Sequence, residues 1–299
     1  MHADAAMFRA GVLWLDVMRR WPNVDADTVC AAAAAAAAVT PYLDKWDERE
    51  SQELPLDEGY GAWAHTHGTY DDPLAVIEGP VVKGLFRGVE GMVLDAGCGS
   101  GRHAAHLVAA GMDVVGVDAC REMLAAARMR VPRATFRPGR LEELPLPEQS
   151  VDHAVCALAM DDVPHVAPVV KEMARVVRDG GHVVITASHP ATVEIGGHTV
   201  VPRGRDAWGF MRRHAHWHEE YLSAFEESGL EVIACMDLKF TARAVGALEL
   251  LERATPTTLG GAAITLIGWP AVLVWHLGRL PREMGPCYGD SGSPPLSTV

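Results

Sequence analysis

Residues 92–118 read MVLDAGCGSGRHAAHLVAAGMDVVGVD and contain two apolar runs separated by a glycine-rich segment and a helical pattern. The first run, Met92–Leu94, predicts a buried strand. Glycines at positions 97, 99 and 101 follow, and residues 102–110 have helical spacing. The second run, Val114–Val117, predicts another strand and is followed by Asp118. The segment therefore predicts a β-α-β unit with a glycine loop at its first turn.

The glycine loop and the acid after the second strand together indicate a ligand that contains a nucleoside. Glycines allow a sharp turn and a close approach of the backbone, and the helix N-terminus offers unpaired N–H groups. Asp118 stands where a carboxylate can accept hydrogen bonds from two ribose hydroxyls. Two alternatives stay open: a turn that binds nothing, and a dinucleotide site, whose G-x-G-x-x-G pattern requires a glycine where this chain has Arg102.

The spacing Asp95-x-Gly-x-Gly-x-Gly resembles motif I of the class I S-adenosylmethionine (SAM) methyltransferases. The resemblance extends over about residues 60–278 and implies SAM as cofactor and S-adenosylhomocysteine as product. It implies cofactor contacts from the following residues: Tyr60, Asp95, Ala96, Gly97, Cys98, Gly99, Arg102, Asp118, Ala119, Met123, Arg140, Leu141, Cys156 and Ala157.

Two segments depart from the pattern that this resemblance leads us to expect. Residues 139–147 resemble the family's Gly-Asp-Ala-Glu-x-Leu-Pro-Phe segment, but Arg140 stands where the acid is usual. Arg140 can stack on the adenine or point to solvent, and the N–H of Leu141 can still bind the ring. After the fourth strand, many relatives have His-Val or His-His-Val, whereas this chain has Asp161-Asp162-Val163.

The resemblance implies an α/β fold with a seven-stranded, doubly wound sheet of order 3-2-1-4-5-7-6, in which the last strand is antiparallel. Helices cover both faces. We expect an N-terminal helical extension over residues 1–58, acting as an arm or a lid. The methyltransferase domain is expected over 59–280 with a cap inserted near 191–217, and a flexible tail over 281–299.

The implied reaction is an SN2 transfer of a methyl group to an O, N or C nucleophile, driven mainly by alignment and desolvation. Where a base is needed, the candidates are His189, His216 and Asp161. His189 follows the fifth strand at the edge where ligands bind in open α/β sheets, and His216 lies near the end of the cap. Asp161 can bind an amine or accept a proton, although a helix cap is the simpler role.

Composition limits the partners of this chain of 299 residues. Its formal net charge of −13 argues against a nucleic-acid partner. Six cysteines without a C-x-x-C pair indicate a reducing compartment and no zinc site, and the N-terminus has no signal-peptide pattern. We therefore expect a cytoplasmic enzyme without a metal. The N-terminal helices are expected to pack as an arm, with a homodimer as one possibility.

Residues 254–278 carry no Asp, Glu, Lys or Arg and are long enough for a membrane span. Pro256, Pro270 and the Gly260-Gly261 pair divide them into strand-sized pieces, so we expect a buried strand and no membrane partner. The predicted function is methyl transfer to a small molecule, most simply a specialised metabolite. The alternatives are a protein or RNA methyltransferase, and a SAM-binding protein of this fold with a non-methylating role.

Overall fold

The computed structural model describes residues 25–27, 29–31, 33–34, 52–64, 72–194, 199–202, 208–244 and 267–281. Several predictions lie outside these ranges. They are most of the N-terminal helical extension, the homodimer through it and almost all of the C-terminal tail. The described residues between 26 and 34 are helical.

The main sheet has seven strands, and its order confirms the predicted 3-2-1-4-5-7-6 arrangement. In spatial order the strands are β4 (Thr135–Pro138), β3 (Asp113–Asp118), β2 (Met92–Ala96), β5 (His153–Ala157), β6 (His182–Ser188), β10 (Pro270–Arg279) and β9 (Leu230–Lys239). The first five are parallel to one another. β10 is antiparallel to both of its neighbours. The carboxyl ends of the parallel strands therefore meet at one edge, which we call the carboxyl edge.

Helices cover both faces of this sheet. They are α2 (Pro73–Leu85), α3 (Arg102–Ala109), α4 (Arg121–Arg130), α5 (Val166–Val176) and α7 (His218–Ser228). One buried cluster includes residues of β5, α5 and α7, and a second includes residues of α2, α3 and α4. The helix α2 has no counterpart among the predicted elements. Asp72 caps it by accepting the N–H of Leu74 at 2.8 Å, and Pro73 occupies its first turn.

The apolar segment that raised the question of a membrane span contributes an inner strand of the sheet. β10 lies between β6 and β9, and residues 271–275 on it are buried. The prediction of a buried strand is confirmed for this part of the segment. No helix in the described ranges is long and apolar enough to cross a membrane.

A second, three-stranded sheet lies within and beside the predicted cap. It joins β1 (Gln52–Glu53), β8 (Trp208–Met211) and β7 (Thr199–Pro202) in that order, and a short helix, α6 (Pro190–Glu194), precedes it. β1 belongs to the predicted N-terminal extension, and the helix α1 (Leu56–Ala64) crosses the predicted boundary at 58/59. The extension and the cap are thus joined by strand pairing that no local sequence pattern indicates.

Candidate functional site at the carboxyl edge

The glycine loop after β2 is tightly packed on one side and open on the other. The N–H groups of Gly97 and Cys98 donate to the carbonyl oxygen of Val117 at 2.8 and 3.0 Å, which ties the loop to β3. A Cβ atom on Gly97 would lie 2.6 Å from the Cβ of Ala159, whereas one on Gly99 would meet nothing within 4 Å. Both glycines have positive φ, 68° and 49°. The loop therefore leaves open space at Gly99.

Asp118 is oriented beside this space by backbone N–H groups. Its Oδ2 accepts the N–H of Gly99 at 2.8 Å, and its Oδ1 accepts the N–H of Cys120 at 2.8 Å. Burial raises the pKa of Asp118, while these backbone hydrogen bonds act in the opposite direction. Each carboxylate oxygen can accept a further hydrogen bond, so the group can bind a pair of hydroxyls.

Asp95 supports the loop from below. It is buried at the end of β2, and its Oδ2 accepts the N–H of Ala104 in the first turn of α3 at 2.9 Å. Burial raises its pKa, and the nearby His103 partly offsets this effect. The carboxylate thus satisfies one of the unpaired N–H groups at the start of α3 and fixes the helix against the strand.

The helix α1 lies across the carboxyl edge above the glycine loop. On one side of α1, Gly61 approaches Glu122 on α4, which follows β3. On the other side, the hydroxyl of the adjacent Tyr60 donates to Oδ2 of Asp162 at 2.5 Å, beyond the end of β5. Because β2 lies between β3 and β5, α1 spans the end of β2. Burial raises the pKa of Tyr60 well above its usual value, and Asp162 adds to this shift.

The turn after β5 brings two acids to this edge in different environments. Asp161 is buried, and both of its oxygens accept the N–H of Ser188 at 3.1 Å. The guanidinium of Arg213 lies 3.6 Å from it. Asp162 is half-buried, and burial is the main cause that raises its pKa to about 7. The turn begins at Leu158, whose φ of 55° is strained for a leucine, as is common at functional sites.

Comparison with known proteins identifies the domain that carries this edge. Residues 94–185 match the family described as a methyltransferase domain. These residues form a methyltransferase domain with the class I, SAM-dependent fold.

An uncharacterized methyltransferase of Mycobacterium tuberculosis is 42% identical over 130 residues, which are 44% of this chain and 51% of the relative. The chain thus spans about half the length of these curated relatives. A SAM-dependent methyltransferase from Mesorhizobium loti has a TM-score of 0.52 at 24% identity, covering 68% of this chain and 97% of that one. A Haloferax volcanii protein solved with the Trm112 methyltransferase activator has a TM-score of 0.60 at 19% identity, covering 76% of this chain and 98% of that one. These two structures support the fold alone.

Several predicted cofactor residues of the methyltransferase domain line the open space or lie next to it. Gly97, Gly99 and Asp118 lie at this space. Leu141 lies near the loop, since its side chain would be 3.8 Å from a Cβ on Gly97. Ala96 ends β2, and Ala157 ends β5. Ala119 is exposed after Asp118, and Met123 is buried on α4.

Four other predicted cofactor side chains point elsewhere. The thiols of Cys98 and Cys156 lie in the core, where burial raises the pKa of each. Arg140 is 74% exposed and pairs with Glu142 at 3.0 Å. Arg102 forms an ion pair with Glu78 on α2. The backbones of these residues can still contact a cofactor, and their assignment to the site stays a prediction.

Glu78 was absent from the predicted site and occupies a central position behind the loop. It is fully buried, pairs with Arg102, and lies 3.0 Å from Nε2 of His103. Burial acts to raise its pKa, but His103 and Arg102 together lower it. Glu78 therefore attaches α2 to the first turn of α3. An acid within the apolar run Leu74–Leu85 is the sequence signal that could have indicated it.

The two predicted catalytic histidines use their ring nitrogens in contacts with the protein. Nδ1 of His189 accepts the N–H of Ala191 at 3.2 Å, and its Nε2 lies 3.6 Å from Asp237. Burial lowers the pKa of His189. Nε2 of His216 lies 2.8 Å from the carbonyl oxygen of Val163 and therefore donates to it. The catalytic assignment of these histidines and of Asp161 stays a prediction. All three residues are buried, whereas Asp162 is half-buried.

No group of three or more His, Cys, Asp or Glu side chains in the described ranges has the geometry to hold a metal ion. The carboxyl edge offers carboxylates, backbone N–H groups and the Tyr60 hydroxyl. This set is suited to a cationic ligand that carries ribose hydroxyls.

Proposed function

We propose that this protein transfers a methyl group from SAM to a small-molecule acceptor at the carboxyl edge, by SN2 displacement that leaves S-adenosylhomocysteine. The observation that carries the proposal is the pairing of the Asp118 carboxylate with the N–H of Gly99, beside the open space at that glycine. A carboxylate held in this way is suited to two ribose hydroxyls, and a glycine without a Cβ admits the rest of the ligand.

The residues of this chain would bind SAM by the following division of roles. Asp118 accepts the ribose hydroxyls, and the N–H of Leu141 is available to the adenine. The glycine loop receives the amino-acid end, and the backbone of β5 at Cys156 and Ala157 lies beneath the sulfonium. When bound, SAM supplies a methyl group already activated by a sulfonium.

The protein then has to align the acceptor and exclude water. The helix α1 contributes to exclusion because it spans the edge and buries the Tyr60 hydroxyl against Asp162. Holding two reactants in a near-attack geometry can supply about 7–11 kcal/mol of the barrier reduction. The sheet β1-β8-β7 packs on α1, since a Cβ on Gly59 would overlap the thioether of Met211. We expect this small sheet to help enclose the acceptor, which would favour a small molecule such as a specialised metabolite. A cytoplasmic location accompanies this proposal as an expectation.

The test is incubation of the purified protein with methyl-deuterated SAM and a metabolite extract of the source cells, read by mass spectrometry. We expect a small molecule that gains the complete deuterated methyl group. The Gly99→Arg variant fills the open space and should produce no labelled molecule. Its control, Gly180→Arg, changes a glycine that also has positive φ and no atom within 4 Å, but lies before β6 at the opposite edge. Label on a protein or RNA, or equal labelling by Gly99→Arg, would refute the proposal.

A further inference from the structure

Among the described residues, the carboxyl edge carries more negative than positive charge. Four carboxylates lie close enough to the buried Cys156 to raise the pKa of its thiol: Asp95, Asp118, Asp161 and Asp162. Arg213 is the buried cation that approaches Asp161. Arg102 and His103 act on Asp95, but both are held by Glu78. SAM brings one net positive charge, so negative charge still exceeds positive charge with the cofactor in place.

Three of these carboxylates are held by backbone N–H groups. Asp95 accepts the N–H of Ala104, Asp118 accepts two backbone N–H groups, and both oxygens of Asp161 accept the N–H of Ser188. Asp161 also faces Arg213, whose Nη1 donates to Oγ of Ser188 at 2.6 Å. Their geometry suits them to holding the edge together.

Asp162 differs because it accepts no backbone N–H from the described residues. Oδ2 accepts the hydroxyl of Tyr60, while Oδ1 makes no hydrogen bond to any residue in the described ranges. The side chain is half-buried, and Oδ1 is not among the buried atoms that lack a partner. It therefore offers accessible lone pairs beneath α1, on the turn that contacts Gly97 through Ala159.

We infer that Asp162 is the catalytic base, taking the proton from an acceptor that enters with an N–H or O–H nucleophile and is neutral or cationic. This inference rests on the proposed function. The acceptor atom gives its proton to Oδ1 of Asp162, and its lone pair forms the bond to the methyl carbon. The carbon–sulfur bond of SAM breaks with its electron pair left on sulfur, and the proton on Asp162 later passes to water. Acceptors that enter as anions are disfavoured by the surrounding carboxylates.

The first arm of the test separates the metabolite extract on cation and anion exchangers at pH 7 before incubation with methyl-deuterated SAM. We expect label in the fraction retained by the cation exchanger or in the unretained neutral fraction. Label confined to the fraction retained by the anion exchanger would overturn the inference and leave methyl transfer intact. Clear SAM binding without label in any fraction would refute the proposed function, and the inference with it.

The second arm measures the pH profile of kcat/KM with the labelled acceptor, together with SAM affinity by calorimetry. Wild type should lose activity as the pH falls through about 7, because Asp162 becomes protonated. Asp162→Asn should lose about 10²–10⁴-fold in rate and keep SAM binding, whereas Asp113→Asn, an exposed acid at the other end of β3, should behave as wild type. Tyr60→Phe removes a hydrogen bond that lowers the pKa of Asp162. The acidic limb of the kcat/KM profile, where activity falls as the pH is lowered, should therefore move to higher pH.

A purely structural role for Asp162 makes a different set of predictions. Asp162→Asn and Tyr60→Phe would then lose activity in parallel with SAM affinity or melting temperature, and the acidic limb would not move in Tyr60→Phe. That result, or an Asp162→Asn variant with wild-type kcat/KM, would overturn the inference. Partial recovery of the rate in Asp162→Glu would support it, since the carboxylate is restored at a slightly shifted position.

Discussion

Replacing Asp162 by asparagine should stabilise the protein at neutral and alkaline pH. Burial holds the pKa of this carboxyl at about 7, against an ordinary value of 3.8. The folded protein therefore binds more protons than the unfolded chain between these two values. The stability that this group contributes is fully present below pH 4 and is lost as the pH rises through 7. At 1.36 kcal/mol for each pKa unit, the penalty above pH 7 is about 4 kcal/mol.

The Asp162→Asn variant removes this penalty while its amide oxygen can still accept the Tyr60 hydroxyl. Urea unfolding of wild type and variant should give similar free energies near pH 4 and a variant that is more stable by about 4 kcal/mol at pH 8. The control Asp113→Asn changes an exposed surface residue and should stay within about 0.5 kcal/mol of wild type. An Asp162→Asn variant that is less stable than wild type at pH 8 would refute the reasoning. Retaining so costly an acid is typical of functional sites.

Two further substitutions test the support of the glycine loop. Glu78→Ala should lower the free energy of unfolding by about 3–5 kcal/mol in denaturant titration, because it leaves Arg102 and the buried His103 without their partner. Glu142→Ala, which removes an exposed ion pair with Arg140, should cost about 0–1 kcal/mol. Equal effects would contradict the assigned role. Gly97→Ala should be destabilised more than Gly99→Ala in thermal melts. Each substitution should lower the stability by about 1–2 kcal/mol because alanine is strained at a positive φ, but only the Cβ at position 97 would meet Ala159. The reverse order would contradict the packing described for the loop.

The β-α-β unit around the glycine loop could be predicted closely because its signals are local. The structure gives Met92–Ala96, Arg102–Ala109 and Asp113–Asp118, nearly the segments that the apolar runs and glycines predict. Strand order and the antiparallel last strand followed from the family resemblance. The helix Pro73–Leu85 escaped prediction, although Asp72-Pro73 is a recognisable helix start.

The chemistry at the carboxyl edge was harder to predict because it depends on contacts between residues that are distant in the sequence. Tyr60 and Asp162 are 102 residues apart and meet only when α1 crosses the sheet. The sequence offers two adjacent acids and cannot tell which one turns toward Ser188 and Arg213 and which keeps an accessible oxygen. The pairing of β1 with β8 is likewise a long-range contact between two-residue and four-residue strands, too short to produce an alternating pattern.

The central claim is that SAM binds at the carboxyl edge over the glycine loop. Calorimetric titration of S-adenosylhomocysteine into the intact chain tests it most directly, with the Gly99→Arg and Gly180→Arg variants alongside. We predict one binding site per chain in wild type and in Gly180→Arg, and at least a 100-fold weaker association in Gly99→Arg, equivalent to about 2.7 kcal/mol or more. Absence of binding in wild type, or unchanged binding in Gly99→Arg, would contradict the account.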